Sequence, residues 1–220
     1  MGSHRIESEN LAADRERALA GVNVSRETLS RLDRFVALLL QWQQTTNLIA
    51  PSTIPEIWTR HVADSLQLLA LAPGAKTWVD LGSGGGFPGL VLACALAEEA
   101  GATMHLVESN QKKSAFLREA VRVAEVPAQV HAMRVESFTR AWDGKADAVT
   151  SRALAPLPGL LRLAAPLLKK GGVGLFPKGQ DVGAELTEAA KCWNINFTLV
   201  PSKTSRASHI VVVKRVEKRT

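Results

Sequence analysis

Leu29, Leu32, Phe35, Val36, Leu39 and Trp42 recur at helical spacing and predict an amphipathic helix from Glu27 to Gln44. Ser25 is placed to cap it. Thr45 to Pro51 breaks the pattern. A second helix is expected from Thr53 to Leu71, with Ile54, Ile57, Trp58, Val62 and Leu66 inward and Pro73-Gly74 ending it. The period then switches. Short apolar runs at Thr77–Leu81, Thr103–Glu108, Gln129–Met133, Ala146–Thr150 and Gly172–Phe176 read as strands. Helical runs at Leu90–Ala97, Gln111–Ala124, Leu157–Lys169 and Asp181–Lys191 separate most of them, with a short helix or turn at Ser137–Ala141. Phe197–Val200 and Ser208–Lys214 add two late strands with only a loop between them.

Alternating strands and helices predict an α/β fold with seven strands, mostly parallel, closed by an antiparallel hairpin on one edge. Residues 1–72 are expected to be an N-terminal helical extension and 73–220 the ligand-binding domain. Within the extension, residues 5–26 are charged and alanine-rich and predict a short helix or loose chain. Met1-Gly2-Ser3-His4 has the character of a tag remnant and is set aside.

The chemistry centres on Asp80-Leu81-Gly82-Ser83-Gly84-Gly85-Gly86-Phe87-Pro88-Gly89. A strand ends in an acid, a glycine-rich turn follows, and Pro88 opens a helix. Backbone without Cβ atoms can sit against a nucleotide-like ligand beyond the strand end. Glu108 ends the second strand, about twenty residues beyond the loop, where an acid accepts from both hydroxyls of a ribose. That position serves a dinucleotide and S-adenosylmethionine alike. Gly84-x-Gly86-x-x-Gly89 matches the dinucleotide fingerprint, whereas Gly82-x-Gly84-x-Gly86 preceded by Asp80 does not. A carboxylate before the loop repels a pyrophosphate and suits a cationic sulfonium and ammonium, which favours S-adenosylmethionine. A buried cap on the loop's own amides is the plain alternative for Asp80, and a helix N-cap is that for Glu108.

Composition adds limits. An apolar fraction of 46% in 220 residues is enough for a sizeable core. The formal charge of +6 fits a polyanionic partner, with a solvated basic surface as the bland alternative. Cys94 and Cys192 are far apart and suggest neither a disulfide framework nor zinc, in keeping with a reducing cytoplasm. The five histidines are not grouped like metal ligands, and no apolar run is long enough for a membrane span. No extended apolar seam argues against a monomer.

An ordered series of motifs resembles one family: the small-subunit ribosomal RNA guanine-N7 methyltransferases called RsmG, formerly glucose-inhibited division protein B. The series is Asn47-Leu48-Ile49-Ala50, Arg60-His61-x-x-Asp64-Ser65-Leu66, the glycine loop, and Leu106-Val107-Glu108-Ser109 with Lys112-Lys113 and Phe116-Leu117-Arg118. Val135-Glu136, Ser151-Arg152-Ala153 and Lys178-Gly179 complete it, so the resemblance runs from about residue 28 to 214. Ile49 stands where threonine is common, which puts a polar role there in doubt.

The resemblance implies a Rossmann-like class I S-adenosylmethionine methyltransferase fold, and methyl transfer to N7 of a guanine in small-subunit ribosomal RNA or the small ribosomal subunit. It implies that Gly82 and Phe87 line the methionine and adenosine, that Val135 and Glu136 flank the adenine, and that Arg152 sits at the mouth between cofactor and substrate. Together with Asp80, Gly84 and Glu108 these are the candidate cofactor residues, and Arg152 is the candidate catalytic one. The plain alternative for Arg152 is an ion pair with Asp147 or Glu136. Lys203, Arg206, Lys214, Arg215, Lys218 and Arg219, with Lys112, Lys113 and Lys178, are expected to form a phosphate-binding rim. A non-enzymatic RNA-binding or ribosome-assembly factor, a methyltransferase of small molecules or protein, and a nicotinamide-dependent dehydrogenase stand as alternatives.

Overall fold

The computed structural model describes residues 2–219. Seven strands form one sheet in the order β3-β2-β1-β4-β5-β7-β6. They are β1 Thr77–Leu81, β2 Thr103–Val107, β3 Ala128–His131, β4 Ala148–Thr150, β5 Val173–Lys178, β6 Trp193–Pro201 and β7 His209–Lys218. The first five are parallel; β7 lies antiparallel between β5 and β6, so the hairpin closes the edge as expected. The hairpin is longer than its apolar runs suggest, and β6 carries a register shift at Asn196/Phe197. From β1 the chain builds outward through β2 and β3, then returns to place β4 on the other side. The gap above β1 and β4 is the switch point where open α/β sheets bind ligands.

Helices α1 Gly2–Leu19, α2 Arg26–Gln43, α4 Gly89–Leu96 and α5 Gln111–Ala124 lie on one face; α6 Val135–Ala141, α7 Leu157–Leu168 and α8 Val182–Cys192 lie on the other. β1 shows why both faces are dry. Trp78 packs into the core under α2, α4 and α5, while Val79 and Leu81 pack into the core under α7. Ser25 does cap α2, its Oγ accepting from Thr28 N–H at 2.9 Å. Phe35, with no exposed surface, joins α2 to the sheet side through Phe116 and Phe87. No helix among the described residues is long and apolar enough to cross a membrane.

The expected helix over Thr53–Leu71 is four pieces: a 3-10 turn at Pro51–Glu56, a π-helical stretch at Trp58–Ala63, one α turn at Asp64–Leu66 (α3) and a 3-10 turn at Gln67–Leu71. Pro55 lacks an N–H and breaks regular bonding at the start. The π-helical stretch is docked by α1. Asp14, 1% exposed, accepts from Trp58 and Thr59 N–H at 2.9 and 3.2 Å and from Thr59 Oγ1 at 2.6 Å. A charged, alanine-rich helix is thus tied to this stretch by one buried carboxylate, alongside the Arg15–Asp33 pair and the packing of Leu11, Ala18 and Leu19.

Candidate functional site

The loop from Gly82 to Pro88 connects β1 to α4 over the switch point. Gly82, Gly84 and Gly86 all have positive φ (72°, 54° and 90°), a region other residues enter at a cost. A Cβ on Gly82 would meet Leu154 Cδ1 at 2.6 Å. A Cβ on Gly84 would meet only the Gly82 carbonyl oxygen, at 3.8 Å, so the space over Gly84 is open to a ligand. The loop is braced from behind. The Gln43 carboxamide holds Leu48 N–H, Ile49 N–H and the Ile49 carbonyl at 2.9–3.1 Å. The Leu48 carbonyl in turn lies so close that a Cβ on Gly85 would come within 2.8 Å of it. Ile49 is buried and works through its backbone, so the missing threonine hydroxyl is not needed there.

Asp80 is fully buried beneath the loop. Its carboxylate accepts from Thr150 Oγ1 at 3.0 Å and from Gly89 N–H at 3.3 Å. Burial pushes its carboxyl up to about 6, against the pull of those donors and of Arg152. The capping role open from the sequence is therefore present: Asp80 ties the end of β1 to the start of α4. Gly89 must be glycine for this, since a Cβ would sit 2.6 Å from Asp80 Oδ2.

Glu108 follows β2 and is 8% exposed. Gly84 N–H donates to its Oε2 at 2.9 Å and Asn110 N–H to its Oε1 at 2.7 Å. It is not the N-cap of α5; that is Asn110, which accepts from Lys113 N–H at 3.1 Å. Each carboxylate oxygen keeps a second acceptor site, so a ribose can be held by a group already fixed to the loop. Val135 and Glu136 begin α6 after β3; Val135 is buried in the core and Glu136 is exposed.

Arg152 follows β4 and makes neither expected ion pair. Its partners come from the helical run instead, because that run packs over the loop. Nη2 donates to His61 Nδ1 at 2.6 Å, Nη1 donates to the Arg60 carbonyl at 3.2 Å, and Asp64 Oδ2 lies 3.8 Å from Nη1. The guanidinium lies 5.2 Å from the Phe87 ring centroid. Arginine can only donate, so His61 Nδ1 accepts and the proton is on Nε2, 2.8 Å from Thr53 Oγ1. Burial, then the charges of Arg152 and Arg60, push His61 down to about 3. Phe87 is 4% exposed under this lid, between Phe35 and His61. Asp64 also accepts from Thr204 Oγ1 at 2.7 Å, Gln67 Nε2 at 2.8 Å and Ser202 Oγ at 3.3 Å, which fixes the β6–β7 loop to the same network.

Beside Arg152 opens a cavity of about 760 Å³, walled by the helical run, the β4–α7 loop, the end of β5 and the β6–β7 loop. It lies on the β4–β5 side of Arg152, whereas Gly84 and Glu108 lie on the β1–β2 side. Arg152 and Phe87 stand between the two.

The expected basic rim is divided. Lys112 and Lys113 open α5 at the site end of the sheet, and Lys203 and Arg206 are exposed on the β6–β7 loop at that end. Lys178 is 9% exposed, paired with Glu185 at 2.8 Å and donating to the Ala155 carbonyl, so it props the β4–α7 loop. Lys214, Arg215, Lys218 and Arg219 are carried along antiparallel β7 toward the opposite end, where Arg219 bonds the Ala190 carbonyl and Asn194. The residues that sequence inspection missed are Gln43 and Asp14: Gln43 holds backbone groups just beyond the end of its own helix, and Asp14 holds backbone amides more than forty positions away.

The architecture matches known folds. The O-methyltransferase of Bacillus cereus, solved in complex with SAH, superposes with a TM-score of 0.61 at 14% identity, covering 95% of this chain and all of that one. At that identity the likeness is one of fold. Sequence relatives are far closer. A Bradyrhizobium protein named ribosomal RNA small subunit methyltransferase G is 58% identical over 97% of this chain and 96% of its own. A protein of the same name from Nitrobacter hamburgensis is 59% identical over 94% of this chain and 80% of its own. The family profile for rRNA small subunit methyltransferase G matches residues 28–211. With the motif series, the fold and these relatives in agreement, the chain belongs to the rRNA small subunit methyltransferase G family.

Proposed function

We propose that this protein transfers the methyl group of S-adenosylmethionine to N7 of a guanine in small-subunit ribosomal RNA. The observation that carries the reading is the division of the switch point. A glycine cradle and an acid with spare acceptor sites lie on one side, a cavity large enough for a base lies on the other, and Arg152 stands between.

The residues fit the cofactor. Glu108, held by Gly84 and Asn110, is positioned for the ribose hydroxyls; the open space over Gly84 admits the ligand against backbone; Val135 and Glu136 are proposed for the adenine edge. When bound, the sulfonium supplies an electrophilic methyl. Guanine N7 offers a lone pair and has no proton to lose, so no general base is required of the protein. The N7 lone pair would form the new carbon–nitrogen bond as the methyl–sulfur bond breaks, its electron pair returning to sulfur; the positive charge would pass to the base and S-adenosylhomocysteine would leave. The protein must hold N7 in line with the methyl carbon and exclude water, which is worth on the order of 7 to 11 kcal/mol at best. Arg152 is fixed on four sides, by His61, Arg60, Asp64 and Phe87, and cannot drift toward N7 and compete for it. Lys112, Lys113, Lys203 and Arg206 are the proposed phosphate contacts, which would make affinity fall with salt. We take the substrate to be the RNA or the small subunit, and the enzyme to act as a monomer in the cytoplasm.

The test is transfer of labelled methyl from S-adenosylmethionine to purified small subunits, large subunits and protein-free small-subunit RNA. Label is expected in the small-subunit RNA. Incorporation into large subunits alone, or none, overturns the reading.

A further inference from the structure

The reaction requires the enzyme to know a guanine from the other bases without touching N7. Guanine's remaining edge presents an acceptor, O6, followed by two donors, N1–H and the 2-amino group. No other standard base offers those two donors side by side, and a carboxylate is the side chain that accepts both at once.

Among the described residues that line the cavity there are three carboxylates: Glu56, Asp64 and Glu185. Asp64 is occupied by Thr204, Gln67, Ser202 and Arg152. Glu185 is occupied by Lys178 and by the Leu157 N–H, which it caps at the start of α7. Glu56 is different. Its side chain is 52% exposed, it makes no hydrogen bond among the described residues, and its ion-pair partner there is Arg60, one helical turn away at 4.0 Å. Arg60 is also exposed, at 56%, and its guanidinium has no other partner among the described residues. An acceptor and a donor therefore stand side by side at the cavity wall, joined only by a long ion pair of the kind that stabilises little.

We infer that Glu56 reads the target guanine, its carboxylate accepting N1–H and the 2-amino group while Arg60 donates to O6. This rests on the guanine-N7 reading above and adds the residue that selects the base. The arrangement leaves N7 facing away, toward Arg152 and the cofactor side. It also follows the chemistry. As N7 gains positive charge, N1–H becomes a stronger donor, so its bond to Glu56 tightens in the transition state. Loss of Glu56 should therefore lower kcat as well as raise KM.

The test compares wild type, Glu56→Ala and Glu56→Gln on small subunits reconstituted with RNA that carries either guanosine or inosine at the methylated position. Inosine keeps O6, N1–H and N7 and lacks only the 2-amino group. Wild type is expected to prefer guanosine on the order of tenfold or more in kcat/KM, and Glu56→Ala to lose on the order of 10- to 100-fold on guanosine and to treat both bases alike. Glu56→Gln, with one acceptor and one misplaced donor, should fall between. S-Adenosylmethionine affinity, measured by titration, should be the same in all three, which shows that the variants are folded. A Glu56→Ala enzyme that keeps the wild-type guanosine-to-inosine ratio, whether its rate is unchanged or lowered equally on both, overturns the inference and leaves the methyltransferase reading standing. A wild-type enzyme that does not methylate guanosine N7 at all overturns both.

Discussion

His61 → Gln should change how stability depends on pH. In the folded protein His61 accepts from Arg152 and must be neutral; its folded pKa of about 3 lies far below the ordinary 6.5. Below pH 6.5 the unfolded chain binds a proton that the folded protein refuses, so this group's contribution to stability falls as pH falls. The slope is about 1.4 kcal/mol per pH unit well below 6.5, which gives about 2 kcal/mol between pH 7 and pH 5. Other groups titrate in the same window. His105, pushed down to about 4 by burial and by His131, acts with the same sign. Asp80, pushed up to about 6, acts with the opposite sign, stabilising the fold as pH falls through that value. The difference between wild type and His61→Gln cancels both. Urea unfolding followed by the fluorescence of the five tryptophans, at pH 7 and at pH 5, gives that difference directly. Wild type should lose about 2 kcal/mol more than the variant over this interval. A difference that stays constant within about 0.5 kcal/mol would mean that folded His61 takes a proton, and the acceptor geometry to Arg152 would be wrong.

Other perturbations follow from the same contacts. Gly82→Val places a β-branched residue at φ 72° and a Cβ against Leu154; it should cost about 1–3 kcal/mol and weaken S-adenosylmethionine binding in a calorimetric titration. Glu108→Ala removes the anchor of Gly84 together with the proposed ribose acceptor, and affinity for S-adenosylmethionine should fall on the order of 10- to 100-fold in the same titration. Arg152→Lys cannot reach His61, the Arg60 carbonyl and Asp64 from one planar fork, so kcat should drop with little change in cofactor affinity. Asp14→Ala strands two N–H groups and a hydroxyl at the start of the π-helical stretch and should destabilise the fold by about 2–4 kcal/mol in urea unfolding.

What the sequence disclosed and what it hid divide along the range of the interactions. Short apolar runs and the β1–Gly82–Gly89 punctuation are local, and they locate the parallel strands, the switch-point loop and Glu108. The helix at 53–71 is legible as helical and Pro55 marks its irregular start, but the π-helical stretch is not legible, since Asp14, which accepts from its first N–H groups, lies in another helix. Arg152 stands out in the sequence as a candidate, yet its partners Asp64 and His61 lie some ninety positions earlier in the chain and meet it only once the helical run packs over the loop. The basic rim is divided for a topological reason. Charges adjacent in sequence suggest one surface, but β7 runs antiparallel and carries Lys214 to Arg219 away from the site. Lys178 looked like a phosphate contact and is instead an internal prop, a distinction that only its burial against Glu185 makes.

If the divided switch point serves transfer to N7 of guanine in small-subunit RNA, as proposed, the product carries 7-methylguanosine. The measurement closest to it is the mapping of the product: small subunits from cells that lack this modification, treated with the enzyme and S-adenosylmethionine, then cleaved by the borohydride and aniline chemistry that breaks RNA at 7-methylguanosine. One new cleavage site at a guanine of the small-subunit RNA is expected, absent when Arg152→Ala replaces the wild-type enzyme. Incorporated methyl with no such cleavage, or at an oxygen or carbon instead, would contradict the account.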